Sequence, residues 1–452
     1  MNDSNITPSQ FPPPESKPPH FNSSQLSEQE GTWFTHRAWL FVLLLMPVAL
    51  LNYLDRQMMA SMQKSVMDSI PDFAASNTPQ LMWGTMLGQF KWVYAFFSVL
   101  GGLCADRISR RWTIAASLFA WSAITWWTGQ VTSYNELLWA RSLMGVSEAF
   151  YIPAALALIA DYHQGSSRSK AVGLHQSAIY LGTIAGGFGG YAATYLGWRE
   201  AFAACGLFGM LYALPLATIL RDHSSANNDL TTDDPMNTDP ANQSSYKTNQ
   251  STHAFSTLLF NPSFLLLVAY FTLPAMAGWV VRDWMPAILR DRFELGQGAS
   301  GVTATLYWQL AAILGAALGG FLADRWMAYN IRARLYVSAL GMAMIAPAIL
   351  GIGNATSLTI AVACLILFGL GWGFFDCNNM PILSQIVEPR LRATGYGLMN
   401  FVSISFGGFA DKEFGRLRDS NVPLYVSFSI FALLALISIF LVLMIRPKPE
   451  LQ

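Results

Sequence analysis

Long apolar runs alternate with short polar connectors along most of the chain. They fall at 38–62, 81–105, 113–132, 137–161, 171–196 and 201–220, then at 264–284, 302–323, 335–353, 358–380, 393–410 and 424–445. A helix needs about 20 mainly apolar residues to cross a bilayer core. In lipid every backbone polar group must be satisfied within the segment, which favours helices. The pattern therefore predicts an all-α membrane protein with twelve transmembrane helices, six on each side of one polar interruption. That interruption, 221–255, carries Asp, Asn, Ser and Thr and reads as a solvated cytoplasmic linker. It separates a bundle at 36–220 from a bundle at 256–446, with a short cytoplasmic tail at 447–452. Residues 1–35 are rich in Pro, Ser, Asn and Gln and contain no apolar core, so they read as a disordered cytoplasmic tail and not a signal peptide.

Composition supports this division. Hydrophobic residues make up 53% of the 452 residues and charged residues only 12%, against about 25% charged in soluble domains. The formal net charge is zero, so no global attraction to nucleic acid is expected. Cys104, Cys205, Cys364 and Cys377 all lie in apolar runs without metal-ligand spacing, and neither a disulfide framework nor a metal site is expected. The chain contains no phosphate-binding Gly-x-x-x-x-Gly-Lys-Ser/Thr loop and no Gly-x-Ser-x-Gly or His-Glu-x-x-His motif, so neither ATP-driven work nor hydrolysis is indicated. Arg37, Arg107, Arg110, Arg111, Arg168, Lys170, Arg221, Arg325, Arg332, Arg334, Arg390, Arg392, Arg446 and Lys448 fall on one side of the predicted spans. Fewer basic residues fall on the other. The richer side is expected to be cytoplasmic, which puts both termini and the linker inside.

Against this apolar background a few charges stand out. Asp55 and Arg56 lie within the first run, in Asn52-Tyr53-Leu54-Asp55-Arg56. Charges there cost about 2.5–3.5 kcal/mol each on insertion scales and normally face a bundle interior or water, in pairs. The fourth run holds Arg141 and Glu148, seven residues apart, which places them on nearly one helix face, about 10 Å apart along the axis. In the second half Asp376, Asn378 and Asn379 interrupt the tenth run, but no second set of four charges is evident. Trp279, Arg282, Asp283, Trp284 and Pro286 crowd the outer end of the seventh run. Aromatics there read first as an interfacial belt, with Arg282 as a further anion contact. Tyr53, Tyr307 and Gln309 are candidate lining residues; so are His175, read as a proton relay, and Tyr180.

The second run ends Gly102-Leu-Cys-Ala-Asp106-Arg107-Ile-Ser109-Arg110-Arg111, and the eighth ends Gly320-Phe-Leu-Ala-Asp324-Arg325. This pair, six spans apart, resembles the loop motif of the major facilitator superfamily, with Ser109 where that motif usually has Gly. The resemblance spans nearly the whole chain. It implies the major facilitator fold, two six-helix bundles around a central cavity. Asn52 to Arg56, and Arg141 to Glu148 followed by Ala149 and Pro153, resemble the first and fourth spans of the anion:cation symporter family. They also resemble the Spinster-like lipid transporters. Gly397-Leu-Met-Asn400-Phe401 leans toward the symporters; Leu158-Ile-Ala-Asp161-Tyr162 and Gly197-Trp198-Arg199 lean toward the Spinster-like proteins.

The symporter resemblance implies that Arg56 and Arg141 coordinate a carboxylate substrate, that Asp55 and Glu148 carry the coupled proton, and that Asn400 orients the substrate. Asn379, Tyr53 and Gln309 complete the expected substrate site. The expected function is proton-coupled symport of a small organic anion, a sugar acid or related carboxylate. The proton gradient is the energy source, and no cofactor or enzymatic role is expected. Spinster-like transport of a lysolipid is the alternative, and a non-transporting receptor or scaffold is a further one. The expected partners are the anion, the proton and the lipid bilayer, with no nucleic acid and the chain a monomer. A bacterial inner membrane is the expected location.

Overall fold

The computed structural model describes residues 23–105, 109–163, 165–222, 257–448 and 450. Side chains are described from residue 37 onward, apart from 102–105 and 165–166 within helices. Among the described residues every regular element is a helix. In the first half these are α1 (Ser23–Ser61), α2 (Gln63–Ser69), α3 (Pro71–Ala75), α4 (Pro79–Ala105), α5 (Arg110–Thr128), α6 (Tyr134–Glu148), α7 (Tyr151–Tyr162), α8 (Gly165–Gly187), α9 (Gly189–Tyr195) and α10 (Trp198–Ile219). In the second half they are α11 (Pro262–Phe293), α12 (Gln297–Met327), α13 (Ala333–Asn354), α14 (Leu358–Asp376), α15 (Asn379–Ile386), α16 (Arg392–Asp419) and α17 (Leu424–Met444).

Eight helical segments are long and apolar enough to cross a membrane by themselves, α6–α7 and α14–α15 each counting as one. The other long helices, α4, α5, α8 and α16, occupy the remaining predicted positions. They are more polar, and each packs along an apolar or glycine-bearing neighbour: α4 with α16, α8 with α1, α5 with α10. Together they make the predicted twelve-helix, all-α architecture.

Proline explains two interruptions. Its ring removes one backbone donor and clashes with the carbonyl four residues earlier. Pro153 acts on Ala149, and Pro381 acts on Cys377. The α6–α7 break falls at Ala149 and Phe150, and the α14–α15 break at Cys377 and Asn378. Each break therefore leaves an acid, Glu148 or Asp376, as the last residue of the preceding helix.

Two expectations need correction. Helix α1 begins at Ser23, inside the tail expected to be disordered to residue 35; residues 23–30 lack proline and include the helix formers Gln25, Leu26 and Glu28. Helix α11 runs on to Phe293 and α16 to Asp419, well past the apolar runs that predicted them. Most of the expected linker, 223–255, lies outside the described residues.

The end of the molecule that carries α2 and α3 is termed the loop face. The end that carries residues 220–222 and 257–261 is the linker face. One apolar cluster is confined to the first half, with Val42, Leu45, Ile114, Leu118, Trp121, Ile159 and Leu216. The other runs from Met58, Met62, Trp83 and Phe202 into Tyr270, Trp284, Trp308, Phe375 and Phe414 of the second half. The halves thus share a core toward the loop face. Among the described residues, hydrogen bonds between halves also lie from mid-helix to that face. Ser65 N donates to Gln297 Oε1 (3.1 Å), Leu81 N to Asp419 Oδ2 (2.7 Å), Gln57 Nε2 to the Arg282 carbonyl (3.1 Å) and Trp92 Nε1 to the Ser405 carbonyl (3.0 Å).

Candidate functional site

Successive helix residues point about 100° apart, so Asp55 and Arg56 reach different neighbours. Arg56 crosses to α6, where its Nε donates to Glu148 Oε2 at 2.7 Å and its Nη2 lies 2.6 Å from the same oxygen. Its guanidinium sits against the rings of Tyr53 (4.9 Å), Phe90 (4.9 Å) and Tyr94 (4.6 Å). Asp55 accepts from Thr125 Oγ1 at 3.2 Å. Arg141 Nη2 stands 3.6 Å from Asp55 Oδ1, an ion pair without a hydrogen bond. Asp55, Arg141 and Glu148 are buried, at 3%, 3% and 0% exposure. Their valences are not all filled: Asp55 Oδ1, Glu148 Oε1 and Arg141 Nε have no hydrogen-bond partner among the described residues. The sequence brought these four residues forward as a group, and the structure gathers them into two crossed acid–arginine pairs in one bundle.

Across the interface the second half holds a related set, whose Arg282, Asp376 and Tyr180 the sequence singled out separately but did not group. Arg282 on α11 lies over the rings of Trp279 (5.0 Å), Tyr53 (5.8 Å) and Trp308 (6.0 Å). It is half-buried and makes no ion pair with a described carboxylate. Asp376, the last residue of α14, is exposed. It shares an electrostatic neighbourhood with Arg282, with Tyr180 of the first half and with Tyr396. The spacing explains the likeness between halves: Glu148 precedes Pro153 by five residues, and Asp376 precedes Pro381 by five. In the first half the acid and arginine are closed on each other; in the second they are apart.

A third cluster was also overlooked. Lys91 on α4 donates through Nζ to Asp283 on α11 and to Asp411 on α16. Its ammonium lies 4.5 Å from the Trp279 ring. A lysine inside an apolar run was visible in the sequence. Asp283 was visible near the end of the seventh run, whereas Asp411 falls one residue past the eleventh. Trp284 is not part of an interfacial belt: it is fully buried against Phe414, with ring centroids 5.2 Å apart.

The remaining expected residues are dispersed. Asn379 is buried with both amide atoms unpartnered, and Gln309 is buried with Oε1 unpartnered. The Asn400 amide donates to its own helix at the Tyr396 carbonyl (3.0 Å). Tyr307 is exposed on α12, in a stripe with Leu310, Leu314, Leu318 and Phe321. His175 is buried and bonded through Nε2 to Tyr151 Oη (2.9 Å), whose hydroxyl donates to the Leu45 carbonyl (3.1 Å). That arrangement ties helices together and offers no route to water.

In the loop motif, Asp106 and Arg107 lie outside the described residues, as does the immediate environment of Gly102. Arg110 pairs with Asp161 at the end of α7. Asp324 pairs with Arg334 across the next loop (2.7 Å), and Arg325 is exposed. Ser109 has φ −51° and caps α5 by accepting from Trp112 N, so the position has no need of glycine.

Comparison with known proteins follows from this architecture. Residues 45–410 match the family model described as Major Facilitator Superfamily. Protein spinster of Drosophila melanogaster is 26% identical over 389 residues, which cover 82% of this chain and 60% of that protein. The chain thus spans less than two thirds of the Drosophila protein's length. An MFS-type efflux pump of Mycolicibacterium smegmatis is 26% identical over 387 residues, 85% of each chain. A probable L-galactonate transporter of Escherichia coli is 22% identical over 385 residues, 84% of this chain and 83% of that one. Among solved structures, a bacterial homolog to the human lysosomal transporter Spinster superposes with TM-score 0.69 at 19% identity, covering 90% of this chain and 95% of the other. A D-xylose–proton symporter superposes with TM-score 0.72 at 16% identity, covering 91% and 98%. Both share the fold.

Proposed function

The chain belongs to the major facilitator superfamily of membrane transporters, and from that premise we propose that it carries a small organic anion by alternating access, driven by a proton gradient. The observation that carries this reading is the contrast between arginines. Arg56 and Arg141 are each held by an acid, whereas the half-buried Arg282 lies among the rings of Trp279, Tyr53 and Trp308 with no described carboxylate in ion-pair reach. Guanidinium offers a planar fork matched to a carboxylate. An anion first engages Arg282. Proton uptake by Glu148 or Asp55 then removes the charge that holds Arg56 or Arg141, and the freed arginine completes the anion site. Proton and anion are thereby bound together and carried together. Galactonate, for which a relative of similar length is named a probable transporter, carries a carboxylate that fits this chemistry.

The same reading gives the state of the molecule. The bundles at 36–220 and 256–446 move as two units, joined here toward the loop face. The linker face carries the basic loops and is cytoplasmic by charge bias, so the conformation is inward-open, with both termini inside a bacterial inner membrane and the monomer as the working unit. Rings around Arg282 also suit an amphiphile with an anionic head, which keeps lysolipid transport as the second reading.

Uptake into proteoliposomes under an imposed pH gradient separates the two. A sugar acid driven inward by the gradient, and lost in Arg282→Ala, is expected. Transfer of a lysophospholipid without sugar-acid uptake moves the assignment to the second reading. Uptake indifferent to the gradient contradicts proton coupling.

A further inference from the structure

We propose that Lys91, Asp283 and Asp411 form a proton-binding site at the seam between the halves, loaded when the loop face is closed and emptied when it opens. The argument starts from counting charge. Three ionisable side chains from three helices are buried together, at 2%, 7% and 0% exposure. One ammonium meets two carboxylates, each through Oδ2. Fully ionised, the set carries one uncompensated negative charge, which is expensive at this depth.

Both carboxylates converge on the same ammonium nitrogen through Oδ2. Ionised carboxylates have no hydrogen to offer each other, so one ammonium between two of them leaves a charge that a proton on one acid would cancel. Lysine, one carboxylate and one carboxylic acid together are neutral. Among the described residues no other charged group is ion-paired with the set. On α11, Arg282 is turned toward the Tyr53, Trp279 and Trp308 rings. Lys412, next along α16, makes no ion pair with the cluster. From α17 the residues packed near α16 are Phe428 and Phe431, and α4 contributes Lys91 itself.

Position gives the proton its consequence. Lys91 belongs to the first half and both acids to the second, so opening the loop face must draw the ammonium away from them. The helices are pressed together at this point: a Cβ on Gly88 of α4 would sit 2.7 Å from the Gly408 carbonyl oxygen of α16. Separation admits water, both acids ionise, and the proton leaves. The closed form binds one more proton than the open form, so acid favours closure and alkali favours opening. One linked proton moves such an equilibrium by up to about tenfold per pH unit. This site is separate from the Asp55 and Glu148 pairs, and its behaviour needs no substrate.

The test uses the full chain in lipid nanodiscs, without substrate. Spin labels are placed on cysteines introduced at Thr78 and Ser420, exposed positions of the two halves on the loop face, in a background with native cysteines replaced by alanine. Between about pH 5.5 and about pH 8.5 the long-distance population should grow at up to about tenfold per unit. Asp411→Asn and Asp283→Asn each leave one acid and one lysine, neutral without a proton. Each should cut the change to less than about twofold over the range. Asp68→Asn, at an exposed pair with Lys64, should keep the full response. Retention of the full response in both Asp411→Asn and Asp283→Asn, or its loss in Asp68→Asn alone, would overturn the proposal.

Discussion

At the scale of single residues, Glu148 and Arg56 show how a substitution acts through the partner it leaves behind. Glu148→Ala strands a buried guanidinium, and breaking a buried pair in this way costs roughly 3–5 kcal/mol. Thermal unfolding in detergent should show that loss, and Arg56→Met combined with Glu148→Ala should recover most of it. Arg282→Ala strands no described carboxylate, so it should stay within about 1 kcal/mol of the parent while anion binding is lost; a large stability loss would mean Arg282 has a structural partner. The four first-half charges were legible in the sequence because each interrupts an apolar run. Their pairing was not. Nothing in Asp55-Arg56 says that Arg56 closes on Glu148 while Asp55 takes Thr125 and Arg141. Lys91 obeyed the same rule, but its partners lie on two helices of the other half and one of them, Asp411, falls just past an apolar run.

Among the elements, positions were readable and ends were not. Hydropathy falls where Arg290 and Arg292 enter α11 and where Lys412 to Asp419 finish α16, yet the backbone hydrogen bonding continues. That lapse left Asp411 outside its run. Prolines were visible, but their effect depends on where the freed carbonyl lies. Pro153→Ala restores the donor at that position and should make α6 continuous with α7, turning Glu148 away from Arg56. Transport should slow while helical circular dichroism is kept; an unchanged rate would show that the break does not position the acid. Gly88→Leu places a side chain where α16 already lies. The loop-face label distance should lengthen at every pH, and an unaltered distance would contradict the tight crossing.

For the whole molecule, the twelve-helix layout followed from run lengths alone, since lipid leaves a chain of this pattern few alternatives. Which face is closed could not be read there, because one sequence must serve both states of an alternating carrier. The shared core from Met58 to Phe414 and the bonds of Ser65, Leu81 and Trp92 reveal it. What then distinguishes a coupled carrier from a passive one is whether proton movement and anion movement are tied. Proteoliposomes containing Glu148→Gln measure this directly, by comparing exchange of labelled sugar acid with its accumulation against a gradient. Exchange preserved with accumulation lost is the result expected of a coupling acid. Accumulation that survives the substitution would contradict the central claim and remove Glu148 from the coupling path.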